Sequence, residues 1–178
     1  MKLKYATMAA IISVVTAGAA NANLLFDAYM GATAGVGGIT TFADDHTHSD
    51  MAYSYGAVAG LDIPLVRAEV EYNYLNDKDI TANIAMGNVY LKMPTPLIAP
   101  YIGAGIGAMF DGDAGRGTKM DTTAAYQGML GLTFNVPVLP FKVDAEARAL
   151  YAHNAITAGN DDADLLHYDI RAKLRYIF

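Results

Sequence analysis

The chain has 178 residues, enough for one domain, with 53% apolar residues, no cysteine and a formal net charge of −6. That acidic balance argues against a nucleic-acid partner, and the absence of cysteine rules out a disulfide framework. No long-period repeat points to a solenoid.

Met1-Lys-Leu-Lys4 is a short basic start, followed by an apolar run from Tyr5 to about Val15 and small residues up to Ala20-Asn21-Ala22. This is the plan of a secretory signal peptide, residues 1–22, cleaved after Ala22. A membrane-spanning helix needs ~20 apolar residues, and this run is shorter. Cleavage removes Lys2 and Lys4, so residues 23–178 carry 10 basic and 18 acidic side chains, net −8.

Strict alternation then predicts strands, because successive side chains of a strand point to opposite faces. From Leu24 to about Val36, Leu24, Phe26, Ala28, Met30 and Ala32 oppose Asp27, Tyr29 and Thr33. Ile39 to Met51 is polar and is expected to be a loop. Tyr53 to Leu61 is a second strand, and Asp62-Ile63-Pro64 a tight turn. In Leu65 to Leu75, Val66, Ala68, Val70 and Tyr72 oppose Arg67, Glu69, Glu71 and Asn73. A loop at Asn76–Asp79 leads to a fourth strand, Ile80 to Met93, whose polar face changes parity. A bulge between Ile84 and Val89, with Gly87 the candidate, would reconcile the two halves. The other solution puts Lys92 at the rim, snorkelling to water.

Pro94-Thr95-Pro96 makes the next short turn. Pro100 to Phe110 and Thr122 to Phe134 are expected strands around an Asp111–Asp121 loop, and Asn135 to Pro140 is a third Pro-marked turn. Phe141 to Tyr151 sets Val143, Ala145 and Ala147 against Lys142, Asp144, Glu146 and Arg148. A last loop, His153 to Leu165, precedes Leu166–Phe178, where every even position is apolar or aromatic and His167, Asp169, Arg171, Lys173 and Arg175 are polar. The count is eight strands.

Charge placement decides what kind of sheet this is. The strands and short turns hold seven acids (Asp27, Asp62, Glu69, Glu71, Asp144, Glu146, Asp169) and seven bases (Arg67, Lys92, Lys142, Arg148, Arg171, Lys173, Arg175). Apart from the fourth strand, all fall on one parity. The four longer loops carry eleven acids against Lys78, Arg116 and Lys119. A charge facing hydrocarbon near the midplane costs about 2–4 kcal/mol for Arg or Lys, so an uncharged face marks lipid. Open sheet edges are not tolerated there, so the sheet must close. Aromatics gather at the strand ends, Tyr53, Tyr74, Phe110, Tyr126, Tyr151 and Tyr168 on the long-loop side and Phe26, Phe134, Phe141, Tyr176 and Phe178 on the other. They suit two interfacial girdles. The expected fold is all-β, a closed eight-stranded antiparallel transmembrane barrel with short periplasmic turns and four longer extracellular loops. The rival is a soluble lipocalin-like barrel, greasy inside and charged outside.

Pro100-Tyr-Ile-Gly-Ala-Gly-Ile-Gly-Ala108, Tyr126-Gln-Gly-Met-Leu-Gly131 and the terminal Tyr176-Ile-Phe178 resemble the small OmpA/OmpX- and opacity-type outer-membrane barrels, also called surface-antigen or porin-like proteins. The resemblance spans nearly all of residues 23–178. It implies an outer-membrane location, contact with the bilayer and lipopolysaccharide, and membrane-stabilising, adhesive or antigenic roles. It also implies that Tyr176 and Phe178 form the signal read by the barrel-assembly machinery. That signal often has glycine where this chain has Lys173.

Candidate chemistry is sparse, and no cofactor is expected. Asp44, Asp45, His46, His48, Asp50, Asp161, Asp162 and Asp164 crowd one mouth and include metal-ligating types, but without a fixed ligand spacing they suit a solvated acidic loop pair equally. Ser54 and His167 share the inward parity across an intervening strand, ~9–10 Å apart by strand spacing, so a hydrolase site lacks a contacting base. The inner charges Arg67, Glu69, Glu71, Lys142, Asp144, Glu146, Arg148, Asp169, Arg171, Lys173 and Arg175 are expected to pair with one another. Eight strands leave an interior that side chains fill, so a channel would be narrow. Gly103, Gly105 and Gly107 are expected either to leave a thin water path or to make room for long Arg and Lys side chains. The expected function is a non-enzymatic surface protein working through acidic loops on a host or cell-surface ligand.

Overall fold

The computed structural model describes residues 26–43, 46–77, 81–113, 119–120, 122–136, 138–158 and 161–178, with side chains outside 41–50, 111–121 and 153–163. Eight long strands dominate: β1 (Asp27–Ala43), β2 (His46–Asp62), β3 (Val66–Asn76), β4 (Thr81–Lys92), β5 (Ile98–Asp113), β6 (Thr123–Asn135), β7 (Phe141–Ala158) and β8 (Asp161–Ile177). A two-residue segment, Lys119–Met120, extends the ladder along the end of β5. Each strand pairs antiparallel with its sequence neighbours, and β1 pairs with β8, so the ring is closed.

The register fixes the barrel's stagger. Stepping between paired residues, Met30 leads through Ala59, Val70, Gly87, Ile106, Tyr126, Tyr151 and Leu166 back to Thr40, ten residues further along β1 (from 30 to 40). With strand spacing and rise per residue at ordinary values, eight strands and this stagger give a tilt of about 40°.

The outer face is apolar. Ile102, Ile106, Leu130 and Ile170 are each at least 60% exposed, while Arg67, Glu146, Lys173 and Arg175 are buried inside. That distribution is the inverse of a lipocalin, so the soluble alternative is overturned. The aromatics lie in two belts, with Tyr53, Tyr126, Tyr151 and Tyr168 exposed near one end and Phe26, Phe134, Phe141, Tyr176 and Phe178 near the other.

Two expectations change. First, β4 has no bulge at Gly87: its pairing with β3 is continuous from Thr81 to Leu91, and its register with β5 shifts only between Thr81 and Asn83. Every even position from Ala82 to Tyr90 is buried. The apparent change of parity has a different cause: towards the long-loop end the lining turns apolar. Ile39, Leu75, Ile84, Met86, Met109, Leu150 and Leu165 belong to one buried cluster there, while Asn76 faces out. A strand crossing this level exchanges its polar and apolar faces without slipping. Lys92 does sit at the opposite rim, partly buried.

Second, the expected loops at Ile39–Met51, Asp111–Asp121 and His153–Leu165 are largely or partly strand: β1 and β2 pair up to Ala43↔His46, β5 runs to Asp113, and β7 and β8 pair up to Ala158↔Asp161 after a register shift between Ala152 and Ile156. Backbone pairing needs no apolar face once the strands leave hydrocarbon. Polarity therefore did not mark the strand ends, although Ile39-Thr40-Thr41 and Ile156-Thr157 have high β propensity.

Tyrosines and glycines are matched across strands. Tyr29 faces Gly60, Tyr90 faces Gly103, Tyr101 faces Gly131 and, on the outer face, Tyr168 covers Gly38. A side chain at any of these glycines would run into the ring opposite. Asn88 and Met86 likewise occupy the space over Gly105 and Gly107. The glycine run 103–107 thus accommodates β4, rather than the Arg and Lys side chains expected there. Gly37→Ala, whose methyl would meet the Tyr168 carbonyl, should destabilise the barrel by about 1–3 kcal/mol. Gly128→Ala, which meets nothing, should leave it unchanged, as read by urea titration of the heat-modifiable band.

Candidate functional site

The chemistry-bearing side chains lie inside the barrel as a ladder of ion pairs along its axis. At the short-turn mouth, Asp62 accepts from Lys92, from Lys142 at 3.1 Å and from Arg175 at 3.3 Å. Asp62, Lys92 and Lys142 line a cavity of about 110 Å3 with Thr133 and Asn135. One layer deeper, Asp144 takes a bidentate pair from Arg175, 2.8 Å on each oxygen, and a bond from Arg67 at 3.0 Å. Arg67 lies over the Tyr90 and Tyr101 rings, 4.0 and 4.6 Å from their centroids. Its Nε and Nη2 have no hydrogen-bond partner among the described residues, so the ring faces supply what a second carboxylate would.

The central layer is built on three glutamates. Glu69 accepts from Tyr29 (2.7 Å), Tyr90 (2.8 Å) and Lys173 (2.7 Å). Glu146 accepts from Tyr101 (2.9 Å) and Arg171 (2.6 Å), with Lys173 at 3.4 Å. Glu71 accepts from Arg171, from Asn88 (2.8 Å) and from Arg148 (3.4 Å). Above it, Asp169 pairs with Arg148 at 2.9 and 2.6 Å. Buried charges are tolerated in such a site only when their remaining donors and acceptors are also satisfied. The tyrosines, Asn88 and Gln127 supply those bonds, and they are the members that a search for charges alone misses. Their inward parity was the available signal.

Ser54 and His167 come closer than strand spacing suggests, because Asp169 lies between them. Ser54 Oγ donates to Asp169 Oδ2 at 2.7 Å, and His167 Nε2 is 3.2 Å from the same oxygen. Gly35, the residue between them on β1, leaves the space: a Cβ there would crowd Ser54, Asp169 and Arg171. The Ser54 hydroxyl is thus committed to Asp169, while His167 Nε2 has no hydrogen-bond partner among the described residues, so the histidine is not placed as a base on that nucleophile. Both ends are enclosed, by Arg148 on one side and by the apolar cluster on the other.

Asp44 and Asp45 lie outside the described residues, as do the side chains of His46, His48, Asp50, Asp161 and Asp162. The β1–β8 pairing continues to Phe42↔Asp164, so the two hairpins do adjoin. Asp164 accepts from Tyr151 at 2.7 Å on the outer face. Among the described residues no group of ligating side chains could hold a metal ion.

Comparison with known proteins bears on this architecture. The model of the outer membrane protein beta-barrel domain matches residues 7–178. The chain belongs to that family. Its place is the outer membrane, and its strands cross the bilayer. Among solved structures it is similar to Neisserial surface protein A, with 18% identity, a TM-score of 0.68 and coverage of 85% of this chain and 97% of that one. The N-terminal barrel of Pseudomonas aeruginosa OprF gives 11%, 0.48, 81% and 97%, and the Yersinia pestis attachment invasion locus protein Ail gives 11%, 0.40, 84% and 99%. No curated protein sequence matches the chain.

The ladder makes a quantitative prediction. Asp144→Ala strands Arg67 and Arg175 in the interior and should cost about 3–5 kcal/mol. Lys142→Ala, at the hydrated mouth, should cost under about 1 kcal/mol. Urea unfolding in detergent, followed by gel mobility, distinguishes the two.

Proposed function

We propose that this outer-membrane barrel is a non-enzymatic surface protein, stabilising the membrane or binding at the cell surface through its acidic extracellular hairpins. The observation that carries this reading is the closed interior. The ion ladder fills the lower barrel, and the apolar cluster from Ile39 to Leu165 lies across its upper end, which favours a task at the surface over a channel or an internal catalytic pocket. What remains for a partner is the outer end, where rigidly presented loops usually bind.

The acids of the long hairpins and loops, outside the inner ladder, favour one kind of partner. An acidic rim favours a basic surface, or an anionic one such as lipopolysaccharide bridged by divalent cations. Residues 1–22 serve as the export signal in this reading, with residues 23–178 as the mature barrel. Tyr176 and Phe178, exposed on the outer face and packed edge to face with ring centroids 5.2 Å apart, serve as the pair read by the barrel-assembly machinery. Phe178→Asp should then lower the amount inserted in cells, measured by outer-membrane fractionation, while purified chain still refolds in detergent.

The decisive experiment trims the two acidic hairpins together, above the pairs Thr40↔Ser49 and Ala152↔Leu165. Heat-modifiable barrel formation should survive, and binding to cell surfaces or to lipopolysaccharide with calcium should fall. Steady single-channel conductance of the intact protein in planar bilayers would replace this reading with a narrow channel.

A further inference from the structure

The three short turns at the periplasmic end are unlike turns made for water. Their sequences are Ile63-Pro-Leu65, Met93-Pro-Thr-Pro-Leu97 and Val136-Pro-Val-Leu-Pro140, without a charged residue. Water-facing turns draw on Gly, Asn, Asp and Ser as well as Pro, and of these only proline occurs here. Here Ile63, Leu65, Met93, Leu97 and Leu139 are exposed, and Val138 is completely so, at 102%. Val138 also holds a φ of 73°, a left-handed conformation costly for a β-branched residue. The strain leaves an apolar side chain at the tip of the turn.

The backbone of these turns is arranged for a place short of water. Five of the chain's six prolines fall here and bring no N–H. Ile63 N donates to Val66 O at 2.9 Å, Met93 N to Pro100 O at 2.9 Å, Thr95 N to Met93 O at 2.9 Å and Leu139 N to Val136 O at 3.3 Å. On the acceptor side, Leu65, Leu97 and Pro140 carbonyls take the amides of Lys92, Asn135 and Ile177. The Thr95 hydroxyl bonds to Ile98 O, and Asn135 Nδ2 to Pro96 O. Each of these amides is satisfied within the chain, which suits a lipid environment. The apolar surface is also continuous with the lipid-facing band, through Leu61, Leu91, Ile98, Phe134 and Phe141. Of the charges at this end, Asp62, Lys92 and Lys142 turn inward to the mouth of the barrel, and the more exposed Asp27 lies 3.8 Å from Lys142 at its rim.

We infer that the periplasmic turns form a ring that inserts into the periplasmic leaflet, its partner being the phospholipid of that leaflet rather than a soluble periplasmic protein. The barrel then has one end dipped in lipid and the other projecting well beyond it. Val138 is the deepest-reaching side chain of its turn on this account.

The chain's lack of cysteine makes the test direct. Single variants Val138→Cys and Leu97→Cys carry a nitrobenzoxadiazole label in the full-length barrel, refolded into phosphatidylcholine vesicles. Ala172→Cys serves as the lipid-facing control and Asp77→Cys as the aqueous one. Each is first shown to migrate as a folded barrel on an unboiled gel, and Leu65→Cys replaces either that does not. Labels in the turns should be quenched by lipids brominated high on the acyl chain, approaching the Ala172→Cys signal. Quenching by aqueous iodide should be several-fold weaker than at position 77. Iodide quenching equal to that at position 77, with no response to brominated lipid, overturns the proposal and leaves a water-facing patch open to a periplasmic protein.

Discussion

Hydrocarbon solvates neither a charge nor a free amide, and most of this structure follows from that. Closure of the ring through β1 and β8 leaves no strand edge unpaired in the bilayer. With lipid taking the apolar parity, the ionic side chains of the lower strands are driven into a cylinder about as wide as a few side chains. There they must find their partners. The ladder from Asp62 to Asp169 is the outcome, and with Asp27 at its mouth it sets seven acids against seven bases.

Such a ladder gives position more than net stability. Taking a pair of ions out of water costs about as much as their attraction returns, so replacing matched groups with apolar ones need not weaken the barrel. Removing one partner is different, because the other is left unpaired. The arrangement around Arg67 shows how tightly the set is drawn. One nitrogen reaches Asp144 and the rest of the guanidinium lies on two tyrosine rings. Those rings are held by Glu69 and Glu146 and stand over Gly103 and Gly131. A shift of register would break several of these contacts at once.

The upper barrel obeys the opposite rule. Above Asp169 the lining is Ile39, Leu75, Ile84, Met109, Leu150 and Leu165, with the outer tyrosines at about the same level. The wall therefore turns from membrane protein to soluble barrel along single strands, its core becoming greasy where its outside becomes wet. The paired hairpins β1–β2 and β7–β8 carry this second regime outward, and they place the acidic segments at a distance from the bilayer.

The amino-acid sequence alone determined the lipid face, the number of barrel strands, the two aromatic belts and the inward set of charges. Each depends only on the two-residue period of a strand and on the cost of a charge in hydrocarbon, so each is local. It did not determine who pairs with whom. Strand four looked bulged because its pattern reports two environments, and only the neighbours of Ile84 and Met86 show that the inside had become apolar. Ser54 and His167 looked too far apart because spacing along a sheet does not show Asp169 reaching between them past Gly35. The hairpin lengths were hidden as well, since a ladder beyond the membrane is held by backbone bonds that leave no hydrophobic period. Tertiary structure decided these points because each depends on what stands across the barrel, and the ten-residue stagger of the closed sheet sets that.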